Sequence, residues 1–135
     1  MMDDLAFLYV EDDTLSRQVM RTIVTRVMGY QNLYVFEDSE RFHERLVSLP
    51  LMPKIIFLDI QIRPIDGFAM LKIIRSERLC ENAKVVALTA SVMNEEVEKL
   101  KQVGFDGAVS KPLSFSTFPT LIPRILAGES IWQIT

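Results

Sequence analysis

Apolar residues gather in five short runs, at residues 5–10, 32–36, 55–60, 84–89 and 107–110. Runs 5–10 and 55–60 are almost uninterrupted, which marks strands buried on both faces. Between the runs, apolar residues recur at helical spacing. Helices are predicted over 14–28, 39–49, 68–78, 95–103 and 118–127. The strand starts lie 27, 23, 29 and 23 residues apart. That spacing fits repeated βα units with right-handed crossovers and a parallel sheet.

The helix boundaries carry their own signals. Asp13 or Thr14 can cap the first helix, and Gly29 closes it. Met20, Ile23, Val24 and Val27 form its inward stripe. Leu15, Val19 and Thr22 lie on another face, where they either pack under a loop or form a docking surface. Ser39 opens the second helix, Pro64 with Asp66-Gly67 marks a loop, and Gly104 closes the fourth helix. Pro123 removes an interior donor from the last helix, so a kink or a later start is expected.

Composition narrows the function classes. The 135 residues make one domain, 1–127, with a short tail, 128–135. Net charge is -3 and no basic stripe occurs, which argues against nucleic-acid binding. No apolar run is long enough to span a membrane, and the acidic start is unlike a signal peptide. The single cysteine, Cys80, cannot form an internal disulfide and suits a reducing, cytoplasmic setting. His43 stands alone among charged residues, without a partner at metal-ligand or triad spacing.

Chemistry collects at the carboxyl ends of the strands, where open parallel sheets bind ligands. Strand one ends in Glu11-Asp12-Asp13, strand three in Asp59, strand four in Thr89 and strand five in Lys111. Asp59 could simply cap its strand. Glu11, Asp12 and Asp59 on one edge, however, make a hard oxygen site suited to Mg²⁺. A carboxylate beside such an ion can attack a phosphoryl group, with Lys111 and Thr89 supplying charge and a hydrogen bond.

Glu11-Asp12, Asp59, Asp66-Gly67, Thr89-Ala90 and Lys111-Pro112 together resemble the receiver domain of two-component response regulators. The resemblance runs from about Leu5 to Ala127. It implies a flavodoxin-like, doubly wound α/β fold, (βα)5, with a five-stranded parallel sheet in the order 2-1-3-4-5. It implies a stand-alone, single-domain, cytoplasmic signalling protein rather than an enzyme. Asp59 is then the phosphoacceptor, supplied by a histidine kinase or histidine phosphotransfer protein. Mg²⁺, or Mn²⁺, is held by Glu11, Asp12, Asp59 and the backbone carbonyl of Gln61. Thr89 reports the phosphoryl group, and Lys111 pairs with Asp59 before transfer and with the phosphoryl oxygens after it. Lys111-Pro112 is a cis peptide. Leu15, Val19 and Thr22 meet the phosphodonor, and Gln61 and Ser91 tune hydrolysis. Output goes through a downstream protein partner, with no nucleic acid and no membrane, from a monomer or weak homodimer.

The chain departs from the family in places. The aromatic usual three positions before the lysine is Ala108, with Phe105 nearby, which leaves the 89–93 loop to carry the signal. The usual proline four residues after the acceptor is Arg63, followed by Pro64. Ile131, Trp132 and Ile134 in the tail either fold back or contact a partner.

Other functions remain in competition. The domain could be a phosphorelay intermediate, a phosphate sink or a phosphorylation-independent binding module. An aspartate-nucleophile phosphatase would need an acid at Gln61. In a flavodoxin-like electron carrier, Glu11-Asp12-Asp13 would repel the cofactor phosphate.

Overall fold

The computed structural model describes residues 4–90 and 93–133. The order is β1 (Ala6–Val10), α1 (Thr14–Arg21), β2 (Asn32–Phe36), α2 (Phe42–Val47), β3 (Ile55–Asp59), α3 (Gly67–Ser76), β4 (Lys84–Thr89), α4 (Asn94–Val103), β5 (Gly107–Ser110), α5 (Phe118–Leu126) and β6 (Ile131–Gln133). All strands are parallel, in the order β2-β1-β3-β4-β5-β6. The expected doubly wound sheet is present, with one strand more than expected. Among the described residues, no helix is long and apolar enough to cross a membrane.

The pleat of the sheet divides the core in two. Leu8, Val10, Ile56 and Leu58 face α2, α3 and α4. Phe7, Tyr9, Ile55 and Phe57 face α1 and α5. Both layers bury the central strands, which explains their unbroken apolar runs.

Several local expectations are corrected. After α1 the helix continues as a π-helix over Thr22–Val27, and Met28 N–H donates to the Ile23 carbonyl at 3.0 Å. The wider turn shifts the helical phase. Met20, Ile23 and Val24 stay buried, whereas Val27 turns outward and is 56% exposed. Helix α2 starts at Phe42, not Ser39, because the Ser39 hydroxyl is used elsewhere. It donates to the Ile65 carbonyl at 2.6 Å and accepts from Ile65 N–H at 2.8 Å, tying α2's approach to the β3–α3 loop. His43 has a partner after all: its Nε2 lies 2.8 Å from Glu77 Oε1.

Helix α5 begins at Phe118, so the later start does not occur. Pro123 lies inside it, while Phe118, Leu121, Ile122 and Ile125 bury its apolar face. Gly128 then turns the chain back with φ 99°. Ile131 is buried and pairs with Gly107, and Trp132 pairs with Ala108. Any Cβ at Gly107 would run into the Ile131 backbone. The glycine is therefore what lets β6 approach. The tail's Ile134, like Ser91 and Val92 of the β4–α4 loop, lies outside the described residues.

Candidate functional site

Strands β1, β3, β4 and β5 deliver Glu11, Asp59, Thr89 and Lys111 to the same edge. Glu11 follows β1, and its backbone N–H donates to the Phe36 carbonyl at 3.0 Å. Asp13 caps α1, accepting from Ser16 N–H at 2.8 Å. That frees Asp12, which is exposed, from any capping duty. Arg17 reaches back to donate to the Glu11 carbonyl at 3.0 Å.

Asp59 ends β3 and is 7% exposed. Gln61 N–H donates to its Oδ1 at 3.2 Å. The turn beyond it is closed by Gly67, whose N–H donates to the Ile60 carbonyl at 3.0 Å. A Cβ on Gly67 would sit 2.9 Å from Ile60 Cα, so a larger residue would push the loop off Asp59's own neighbour. Asp66 caps α3, accepting from Ala69 N–H at 2.9 Å. The Asp66-Gly67 pair thus starts α3 and packs its first turn against the strand end. The Arg63–Pro64 peptide in this loop is cis, as is Lys111–Pro112.

Thr89 ends β4 beside Asp59's strand and is buried. Its carbonyl accepts from Lys111 N–H at 2.9 Å, which fixes where the lysine leaves β5. The Lys111 ammonium donates to Glu11 Oε1 at 2.9 Å and lies 3.6 Å from Asp59 Oδ2. It rests between the two carboxylates, closer to Glu11.

The electrostatics follow from three acids and one nearby ammonium. Burial pulls Glu11 up, but hydrogen bonds from Tyr9, Lys111 and the protonated form of Asp59 outweigh it and hold Glu11 below the usual carboxylate range. Asp59 takes the opposite course. Burial, then hydrogen bonding to Glu11 and its negative charge, raise it to about 6 against Lys111's opposing pull. Burial disfavours charge on Lys111, yet Glu11 and Asp59 more than compensate and raise its pKa. One carboxylate oxygen each from Glu11, Asp12 and Asp59 lies within 4.8 Å of the others. Such crowded hard oxygens fit a divalent cation.

The structure brings together Glu11, Asp12, Asp59 and Lys111, with Thr89 on the adjacent strand end. Gln61 contributes its N–H to Asp59 and lines a cavity of about 190 Å³ with Thr89, Phe68 and Leu100. Leu15 and Val19 border a smaller cavity, about 80 Å³, beside Lys111 and Pro112. Leu15 is 66% exposed. Thr22, one turn on, is half-buried outside that cavity. The site also has a member that sequence reasoning missed. Tyr9, fully buried on β1, donates its hydroxyl to Glu11 Oε1 at 2.6 Å. Its period-2 relation to Glu11 was the available signal, hidden by reading 5–10 as uniformly apolar.

The sequence matches the profile of the response regulator receiver domain over residues 7–122. The polar-differentiation response regulator DivK of Brucella ovis is 27% identical over 121 residues, covering 87% of this chain and 92% of DivK. Stress response regulator protein 1 of Candida tropicalis is 26% identical over 110 residues, or 82% of this chain. The chain covers 41% of that relative's length. A solved signal receiver domain from Colwellia psychrerythraea superposes with a TM-score of 0.80 at 21% identity, covering 92% of this chain and 99% of that one. The chemotaxis protein CheY4 of Vibrio cholerae gives a TM-score of 0.78 at 21% identity, covering 90% of this chain and 98% of CheY4. The profile spans β1 to α5, and the same sheet carries the acids and lysine at one edge: the chain belongs to the response regulator receiver domain family.

Proposed function

We propose that this domain accepts a phosphoryl group on Asp59 from the phosphohistidine of a kinase or phosphotransfer protein and signals through protein contacts. The observation that carries this reading is the three-carboxylate cluster with Lys111 between Glu11 and Asp59. An Asp59 carboxylate oxygen attacks phosphorus. The P–N bond breaks, and the imidazole leaves with the electron pair and takes up a proton. The product is an acyl phosphate on Asp59.

Mg²⁺ would be held by Glu11, Asp12, Asp59 and the Gln61 carbonyl, where it would neutralise charge on the transferring group. Lys111 moves from the carboxylates to the phosphoryl oxygens, a short step from 3.6 Å beside Asp59. Thr89 donates a hydrogen bond to the same oxygens from the next strand end. Leu15 and Val19, bordering Lys111 and Pro112, with Thr22 a turn further, receive the phosphodonor.

Fluorine NMR with Mg²⁺ and beryllium fluoride, a phosphoryl mimic, tests the reading. Bound fluoride resonances are expected for the wild type and none for Asp59→Ala. Absence of bound resonances from the wild type contradicts the proposal.

A further inference from the structure

Resting on that phosphoacceptor reading, we infer that Tyr9 is a positioning residue of the site: its buried hydroxyl anchors Glu11 so that the three carboxylates stand ready for a divalent cation. A phenol inside a core strand needs a hydrogen-bond partner. Tyr9 is 0% exposed, and so is Glu11. The hydroxyl meets Glu11 Oε1 at 2.6 Å, the length of a charge-assisted O–H···O⁻ bond.

Glu11 requires this support. A glutamate has one more rotatable bond than an aspartate, so its carboxylate must be fixed by partners. Oε1 accepts from both Tyr9 and Lys111, at 2.6 and 2.9 Å. Oε2 accepts from the Asp13 N–H at 3.2 Å. Lys111 is shared with Asp59, and its ammonium must be free to move when a phosphoryl group arrives. Asp13's contact is the longest of the three. The Tyr9 hydroxyl thus makes the shorter of the two contacts that stay in place when Lys111 leaves. Tyrosine and glutamate act as a matched pair: the phenol reaches the longer side chain and would fall short of an aspartate.

A double-mutant cycle tests the pair by Mg²⁺ titration calorimetry, with melting in EDTA as the structural control. Tyr9→Phe is expected to weaken Mg²⁺ binding roughly tenfold, as for loss of a partner that orients a metal ligand. In the Glu11→Asp background the same change should alter binding by less than about twofold, because the contact is already gone. A lower melting temperature with unchanged Mg²⁺ affinity, or equal losses in both backgrounds, overturns the inference. A second measurement needs no variant. In wild-type protein the Tyr9 hydroxyl proton should give a slowly exchanging NMR resonance that shifts on Mg²⁺ addition. A resonance unmoved by saturating Mg²⁺ overturns the role. Wild-type protein that binds neither Mg²⁺ nor beryllium fluoride refutes the phosphoacceptor reading itself, a separate outcome.

Discussion

The carboxyl edge of β1 and β3 and the outer edge of β5 are built on opposite principles. At the first, charge is concentrated beyond what burial favours: Asp59 is raised to about 6, and Lys111 serves two carboxylates at once. At the second, strand edge is covered. Ile131 and Trp132 close β5, Lys101 lies 5.2 Å over the Trp132 ring, and Arg124 binds Glu129 across the turn into β6. The first edge holds unfavourable contacts between carboxylates that a cation would relieve. The second holds contacts that are already satisfied. Crowded charge and settled packing thus lie at different edges of one sheet.

The sharpest way to break this contrast is at the shared lysine. Lys111→Ala leaves Glu11 and Asp59 buried without their cation. Urea unfolding of the metal-free protein should show a loss of about 2–4 kcal/mol, partly restored by Mg²⁺. Equal loss with and without Mg²⁺ would mean that Lys111 matters only for packing.

The counterpart on the covered edge is Ile131→Ala. Removing a buried aliphatic group from a short edge strand should cost about 1–3 kcal/mol, toward the low end for core truncations. Trp132 emission should shift to the red as β6 loosens, while Mg²⁺ affinity stays within about twofold, since the sites share no partners. A large loss of Mg²⁺ affinity would show that the edges are coupled through β5.

Asp59→Asn should do the reverse of both, stabilising the metal-free protein at neutral pH by roughly 1–3 kcal/mol. The sign follows from the raised pKa. Asp59 titrates at about 6 in the folded protein against an ordinary 3.8, so the folded state holds more protons between those values. Metal-free stability of the wild type therefore rises as pH falls through that window, and the advantage of the asparagine variant shrinks to nothing below it. Mg²⁺ binding weakens over the same window, because the proton competes for the ligand. Denaturation curves from pH 7 downward check the first trend, and calorimetry checks the second.

The smallest effect is expected at His43→Gln. Its contact joins an exposed ring on α2 to Glu77, half-buried just past the end of α3, and a pair open to solvent on one side contributes little. Urea midpoints indistinguishable from wild type are expected.

What the sequence disclosed follows the range of the interactions. Each strand-end residue was legible because a βα repeat brings every carboxyl end to one edge, whatever the details of packing. Asp13 as cap, Gly29 and Gly104 as helix stops, and Asp66-Gly67 as a turn were legible for the same local reason. Ser39 was misread as the start of α2 because its partner, Ile65, lies 26 positions away. His43 and Glu77 are 34 apart. Val27 was misread as inward because the π-helix over Thr22–Val27 carries no sequence mark distinct from an ordinary helix. Strand β6 is three residues long, too short to show a period, and its one clue was a glycine at Gly107 whose purpose only Ile131 explains. That Lys111 rests nearer Glu11 than Asp59 depends on sub-ångström geometry across 100 positions of chain.

The most direct measurement is intact mass after incubation with acetyl phosphate and Mg²⁺, wild type beside Asp59→Asn. One added phosphoryl group is expected on the wild type, lost on chelating the metal and absent from the variant. A wild type that gains no mass, or a variant that gains the same mass, would contradict the assignment of Asp59 as acceptor.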